Sequence, residues 1–199
     1  MTILQGLKLI EKYKLPHPEW EFVRTLKGLK KFYSVKDYVG WTIRTVAVEK
    51  GSWRNLYVNW LPKKQVPAKV DELQRKQKGK ALFVVYPSWR WKKGGTILKE
   101  KGRTIIEAVK GEIVNLMRKG KINSSYVYNG NRLREFSGQK NFLGQTELRK
   151  IREAAGQIKM KGVILEWAIT TQNKFTIYRL EKIREASKLL LKKYGGKKT

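Results

Sequence analysis

Apolar residues recur near helical spacing at Ile3, Leu7, Ile10 and Tyr13, so residues 3–14 are expected to form a helix that Pro16 and Pro18 stop. A short strand over 20–25 should follow. Residues 38–48 are β-branched and aromatic, and Leu56, Val58 and Trp60 alternate along 55–60, which predicts an antiparallel pair turning at Lys50-Gly51. Residues 62–80 are basic, contain Pro62 and Pro67, and carry one helical stretch over 68–77; they read as a connection between two lobes.

The second lobe is expected to open with ALFVVYPSW, a nearly continuous apolar run suited to a buried strand. The chain then passes through a loop, WRWKKGGTILK, into a core strand in GRTIIEAVKGE. Short strands are expected at 114–117 and 126–128. A helix over 145–160 should line up Leu148, Ile151, Ala155 and Ile158 on one face. VILEWAIT and FTIYRL read as a hairpin around Gln172-Asn173, and a last helix over 181–194 should end at Gly195-Gly196, leaving 195–199 as a disordered basic tail. These elements predict a mixed α/β (α+β) domain in two intimately packed lobes, about 1–80 and 81–194.

Composition narrows the function. The 199 residues, 41% of them hydrophobic, suffice for one domain with its own core. Cysteine is absent, so a disulfide framework and thiolate metal sites drop out. The N-terminal stretch carries charges every few residues and fits neither a signal peptide nor a membrane span, so the chain reads as cytoplasmic. Forty-five Lys and Arg against 16 Asp and Glu give a formal charge of +29, which repels itself unless a polyanion neutralises it. A thermophile could share this composition, but thermophiles balance Lys with Glu and this chain does not. An anionic membrane is disfavoured because no lipidation motif or basic amphipathic helix with an aromatic face is present.

Candidate catalytic chemistry is sparse. His17 is the single histidine, lying between two prolines, so neither a histidine metal cluster nor a Ser-His-Asp triad can form within the chain. No phosphate-loop or dinucleotide fingerprint occurs, and Gly94-Gly95 reads as a generic flexible turn. Glu107 and Glu166 sit in apolar, strand-like runs, IIEAV and ILEWA, where a carboxylate must be paired or bound to a cation. A salt bridge to a nearby Lys or Arg is one such partner, and magnesium beside nucleotide phosphates is the other.

In their order, KLIEKYKLPHPEWEFV, WTIRTV, TIIEAVKGE and VILEWAITTQNKFTIYRL resemble blocks of the nucleotide-binding region of pyruvate phosphate dikinase and phosphoenolpyruvate synthase, a branch of the ATP-grasp enzymes. The Glu-Trp-Ala hairpin is the specific element. The resemblance implies an ATP-grasp-like fold, Arg44 at a phosphate-binding position, and Glu107 and Glu166 in glutamate-bearing strands, the latter where the family holds metal. Departures are Thr45-Val46 and the basic GSWRN in place of a serine pair and acidic residues, and Arg179 in place of a metal-closing glutamine. They imply a degenerate, noncatalytic member.

Three segments interleave cations with aromatics, the mixture that binds phosphate and stacks on bases. These are Tyr86, Trp89, Arg90, Trp91, Lys92 and Lys93; Lys27, Lys30 and Lys31 beside Phe32 and Tyr33; and Tyr126, Tyr128, Arg132 and Arg134. Trp41, Trp60 and Trp167 are expected in the core. No sequence-reading nucleic-acid motif is apparent. The leading expectation is therefore a noncatalytic protein, without cofactor, that binds structured RNA or a ribonucleoprotein such as the ribosome, with DNA close behind. The alternatives are an ATP-dependent ligase or phosphotransferase of ATP-grasp type acting on an anionic substrate, which needs ATP and magnesium, and a structural partner for an acidic protein.

Overall fold

The computed structural model describes residues 1–24, 39–46, 56–77 and 82–183. Helix α1 (Ile3–Lys12) buries Gly6, Leu7 and Ile10, the stripe its spacing predicts. The chain then divides into two compact units, one of Thr2–Leu4 with His17–Arg90 and the other of Met1 and Gln5–Pro16 with Trp91–Thr199.

In the first unit, β1 (Glu21–Val23), β2 (Gly40–Val46), β3 (Tyr57–Leu61) and β4 (Leu82–Ser88) form an antiparallel sheet in the order β1-β4-β2-β3. Helix α2 (Val66–Lys76) starts with Pro67 in its first turn, where a missing N–H costs nothing. Its Val66, Val70 and Leu73 pack with Val23, Trp41, Ile43, Phe83 and Val85 into one core cluster. Residues 82–88, expected to open the second lobe, pair instead between β1 and β2. A run apolar on both faces announces a central strand without saying in which sheet it is central. Trp60 is not in the core: it is half-buried at φ 63°, next to a register shift between β2 and β3, with the Arg90 guanidinium 5.6 Å over its ring.

The second unit is built on a six-stranded antiparallel sheet, order β10-β9-β5-β6-β7-β8. Its strands are β5 (Trp91–Lys99), β6 (Arg103–Lys110), β7 (Ser124–Asn129), β8 (Arg132–Gly138), β9 (Val163–Thr170) and β10 (Phe175–Lys182). The expected loop at 89–99 is thus largely a central strand, and Gly94-Gly95 is no turn. A Cβ on Gly95 would run into the Glu107 carbonyl and come 2.5 Å from the Trp167 indole, so the glycine lets that ring cross the strand. Residues 114–117, expected as a strand, lie in helix α3 (Val114–Lys119), which closes on Gly120 at φ 60°.

Helix α4 (Gln145–Gln157) ends three residues short of the expected 160 and buries Ile151, Ala154 and Ala155. Two lysines from one face of β5 hold its two ends. Lys93 Nζ pairs with Glu147 at 2.5 Å near the N-terminus, and Lys99 Nζ donates to the carbonyls of Ala155, at 2.7 Å, and Ile158 at the C-terminus. At the sheet's β10 edge, Ile177 N–H donates to the Pro16 carbonyl at 2.7 Å. The predicted last helix over 181–194 begins inside β10, which runs to Lys182; its remainder and the tail, 184–199, lie outside the described residues, as does the Lys50-Gly51 turn.

Candidate functional site

The face of the six-stranded sheet away from α4 gathers the acidic residues. Thr96 on β5 lies in register with Glu107 on β6 and with Glu166 on β9. Adjacent strands are about 4.8 Å apart, so the two glutamates flank Thr96 with Cα atoms roughly 10 Å from each other on one face. Thr96 Oγ1 donates to Glu107 Oε2 at 3.1 Å. Glu107 therefore has no cationic partner among the described residues, whereas Glu166 does: Arg179 Nη1 donates to its Oε1 at 3.3 Å.

A β-bulge makes that second contact. Ile177 pairs with Trp167 and Arg179 with Glu166, leaving Tyr178 as the extra residue that turns Arg179 onto the glutamate's face. Arg179 also binds Glu181, so one guanidinium bridges two carboxylates. Burial works against its charge, but Glu166 and Glu181 hold its pKa above the ordinary guanidinium value. Around Thr96 this gathers three carboxylates, Glu107, Glu166 and Glu181, against the one guanidinium of Arg179 in a chain of net +29. Thr176 Oγ1, buried beside Ala168 on the same face, has no hydrogen-bond partner.

Magnesium fits this donor set in part. No group of three or more His, Cys, Asp or Glu among the described residues is placed to hold a metal. Magnesium seldom takes an all-protein cage; one or two carboxylates plus substrate phosphates suffice. Glu107 and Glu166 each present a second oxygen outside the hydrogen bonds described above, and both are hard oxygen donors.

Arg44 lies in the other unit, on β2, opposite Tyr57 on β3 and Val84 on β4, and is half-buried. The aromatic candidates for base stacking do not form a platform. Trp89, Tyr126 and Tyr128 are 6%, 6% and 5% exposed and belong to the core. Trp91 is half-buried against Tyr178, ring centroids 4.8 Å apart, and Tyr86 is likewise half-buried. Among the cations, Lys93 is consumed by Glu147, Lys92 is exposed and reaches Asn173 Oδ1 at 3.4 Å, and Arg90 sits over Trp60. Arg132 and Arg134 are exposed on the edge strand β8, while Lys27, Lys30 and Lys31 lie outside the described residues. Sequence reasoning missed Thr96 and Glu181. The alternation T-I-L on β5 and R-L-E on β10 was the available signal, once both were placed as strands flanking Glu166.

No family model matches the sequence. No curated protein matches it either. Solved structures do. One is the ADP complex of N5-carboxyaminoimidazole ribonucleotide synthetase (purK), at 14% identity and TM-score 0.51 over 90% of this chain and 44% of that one. Another is D-alanyl-alanine synthetase A from Vibrio cholerae O1 biovar eltor, at 11% identity and TM-score 0.54 over 91% and 54%. A third is the ATP-grasp ligase PsnB complexed with minimal precursor, Mg and ADP, at 13% identity and TM-score 0.50 over 89% and 48%. The chain spans about half the length of these proteins. They correct the leading expectation of a noncatalytic binder of RNA, DNA or the ribosome, since these neighbours are two synthetases and an ATP-grasp ligase, two of them solved with ADP. No helix among the described residues is long and apolar enough to cross a membrane. Two largely antiparallel sheets with flanking helices give this chain an ATP-grasp-like α+β fold.

Proposed function

We propose that the chain is the nucleotide-handling part of an ATP-dependent ligase or phosphotransferase of ATP-grasp type, acting on an anionic substrate. The observation that carries this reading is the in-register placement of Glu107 and Glu166 on either side of Thr96, a pair of carboxylates on one sheet face of a strongly basic protein. Glu107 and Glu166 would hold magnesium together with the nucleotide's phosphates. When bound, that ion offsets the charge that develops on a transferring phosphoryl group.

The chain's own residues set the rest. Arg179 fixes the Glu166 carboxylate and limits how negative the face becomes without nucleotide. Thr96 orients Glu107. The resemblance of WTIRTV to the family's arginine-bearing strand supports Arg44 as a phosphate contact, a role a guanidinium suits because it can present paired donors to phosphate oxygens. The likeness of the Glu-Trp-Ala hairpin to pyruvate phosphate dikinase and phosphoenolpyruvate synthase supports placing Glu166 at the metal, and belongs to the same proposal. The general basicity suits an anionic acceptor, which it would attract from a distance.

The test is thermal unfolding with and without ATP and magnesium. At a nucleotide concentration about 100 times Kd, binding stabilises the fold by about 2.7 kcal/mol, a rise in Tm of roughly 5–10 °C at this chain length. Glu166→Gln is expected to abolish the rise. An unchanged Tm in the wild type would remove the enzyme reading.

A further inference from the structure

On the opposite side of the same sheet, the side that carries α4, lies a cavity of about 500 Å³. Its walls come from the β5–β6 turn, the β7–β8 turn and the segment from the C-terminal half of α4 to residue 161. Five cations line it, Lys99, Arg103, Arg152, Lys159 and Lys161, against one acid, Glu100.

Two of the five are already engaged. Arg103 pairs with Glu100 at 2.5 Å, and Lys99 is tied to the carbonyls that end α4. Arg152, Lys159 and Lys161 have no carboxylate partner among the described residues. Arg152 is nonetheless held in place. Its Nη2 donates to the backbone and side-chain oxygens of Asn131 at 3.2 and 3.4 Å, and its guanidinium lies 4.5 Å from the Tyr128 ring centroid. These contacts orient the guanidinium without neutralising it and leave Nη1 and Nε to donate elsewhere. Gly102, Gly130 and Gly156 also line the cavity, and a Cβ on any of them would meet nothing within 4 Å, so bare backbone borders open space.

We propose that this cavity binds a small phosphorylated anion, at a site separate from the carboxylate face. A pre-oriented guanidinium with two unpaired lysines around a concavity is the arrangement that recognises phosphate oxygens. The volume falls in the range of small-molecule pockets, which selects a metabolite-sized ligand. The cavity shares no lining residue with the Glu107, Glu166, Arg179 and Glu181 cluster, so the site does not depend on the nucleotide reading.

Calorimetric titration of the full chain with inorganic pyrophosphate, free of divalent metal and at 150 mM salt, tests the proposal. One-to-one binding is expected, weakened tenfold or more by Arg152→Gln and by the double substitution of the exposed Lys159 and Lys161 to Gln, and unchanged by Glu166→Gln. Lys63→Gln with Lys64→Gln, on the other unit, controls for general charge loss. Absence of binding would overturn the proposal. So would a stoichiometry well above one, an equal loss in the control, or binding indifferent to both cavity variants.

Discussion

Arg179 is the residue on which the carboxylate face turns. Its side chain is 22% exposed and those of Glu166 and Glu181 are 19% and 12% exposed, so removing the guanidinium strands two mostly buried carboxylates. Arg179→Met should destabilise the fold by about 2–4 kcal/mol, below the roughly 3–5 of a fully buried pair because water still reaches the site; urea unfolding measures it. Gly95 is the second sensitive position. Gly95→Ala forces a methyl against the Glu107 carbonyl and the Trp167 ring and should cost about 3 kcal/mol or more, read as a lowered urea midpoint with an unchanged slope. Sequence alone saw Glu107 and Glu166 as carboxylates in need of a partner, and Arg179 as a cation where a metal ligand was expected. It misjudged Gly94-Gly95, because a glycine pair signals a turn and a close crossing equally well, and only the position of Trp167 separates the two. It also left Trp89 open between core and stacking, since two tryptophans flanking an arginine look the same on a buried strand end and on a loop.

At the scale of elements, the period of the pattern was informative where one face is buried and the other wet. The helices α1, α2 and α4 and the β9–β10 hairpin emerged within a few residues of their bounds. The pattern failed where both faces are alike. β8 is exposed along its whole length and offered no apolar alternation, although Asn129-Gly130, with Gly130 at φ 57°, is a hairpin signal that would have found it. The bulge at Tyr178 has no sequence signature, yet it decides which face Arg179 joins. Helix α2 supplies a pH test. Glu72 accepts hydrogen bonds from Lys69 and Lys76 at 2.6 Å each, and these lower its pKa to about 2. Unfolded glutamate titrates near 4.3, so this contribution is fully present above about pH 5 and is lost as pH falls toward 2. Glu72→Gln should lower Tm slightly at neutral pH and leave it nearly unchanged near pH 2, so the acid side of the Tm-against-pH curve flattens in that window.

For the whole molecule, charge is the dominant physical fact, and it first pointed to the wrong partner. A formal +29 says that anions are attracted, not which ones or to which fold. The structure distributes charge unevenly, with a carboxylate cluster around Thr96 and a separate basic cavity, on an ATP-grasp-like fold. Self-repulsion should still weaken the folded state at low ionic strength. Raising salt from about 20 to 200 mM shortens the Debye length from roughly 20 Å to below 10 Å, and Tm should rise by a few degrees in sodium chloride. A fall would mean that the ion pairs outweigh the repulsion.

The most direct test of the nucleotide assignment is calorimetric titration of ADP with and without magnesium, on the wild type and on Glu107→Gln. Saturable one-to-one binding is expected with magnesium, at least tenfold weaker when the ion is withheld and again in the variant. Absence of ADP binding, or binding indifferent to both magnesium and Glu107, would contradict it.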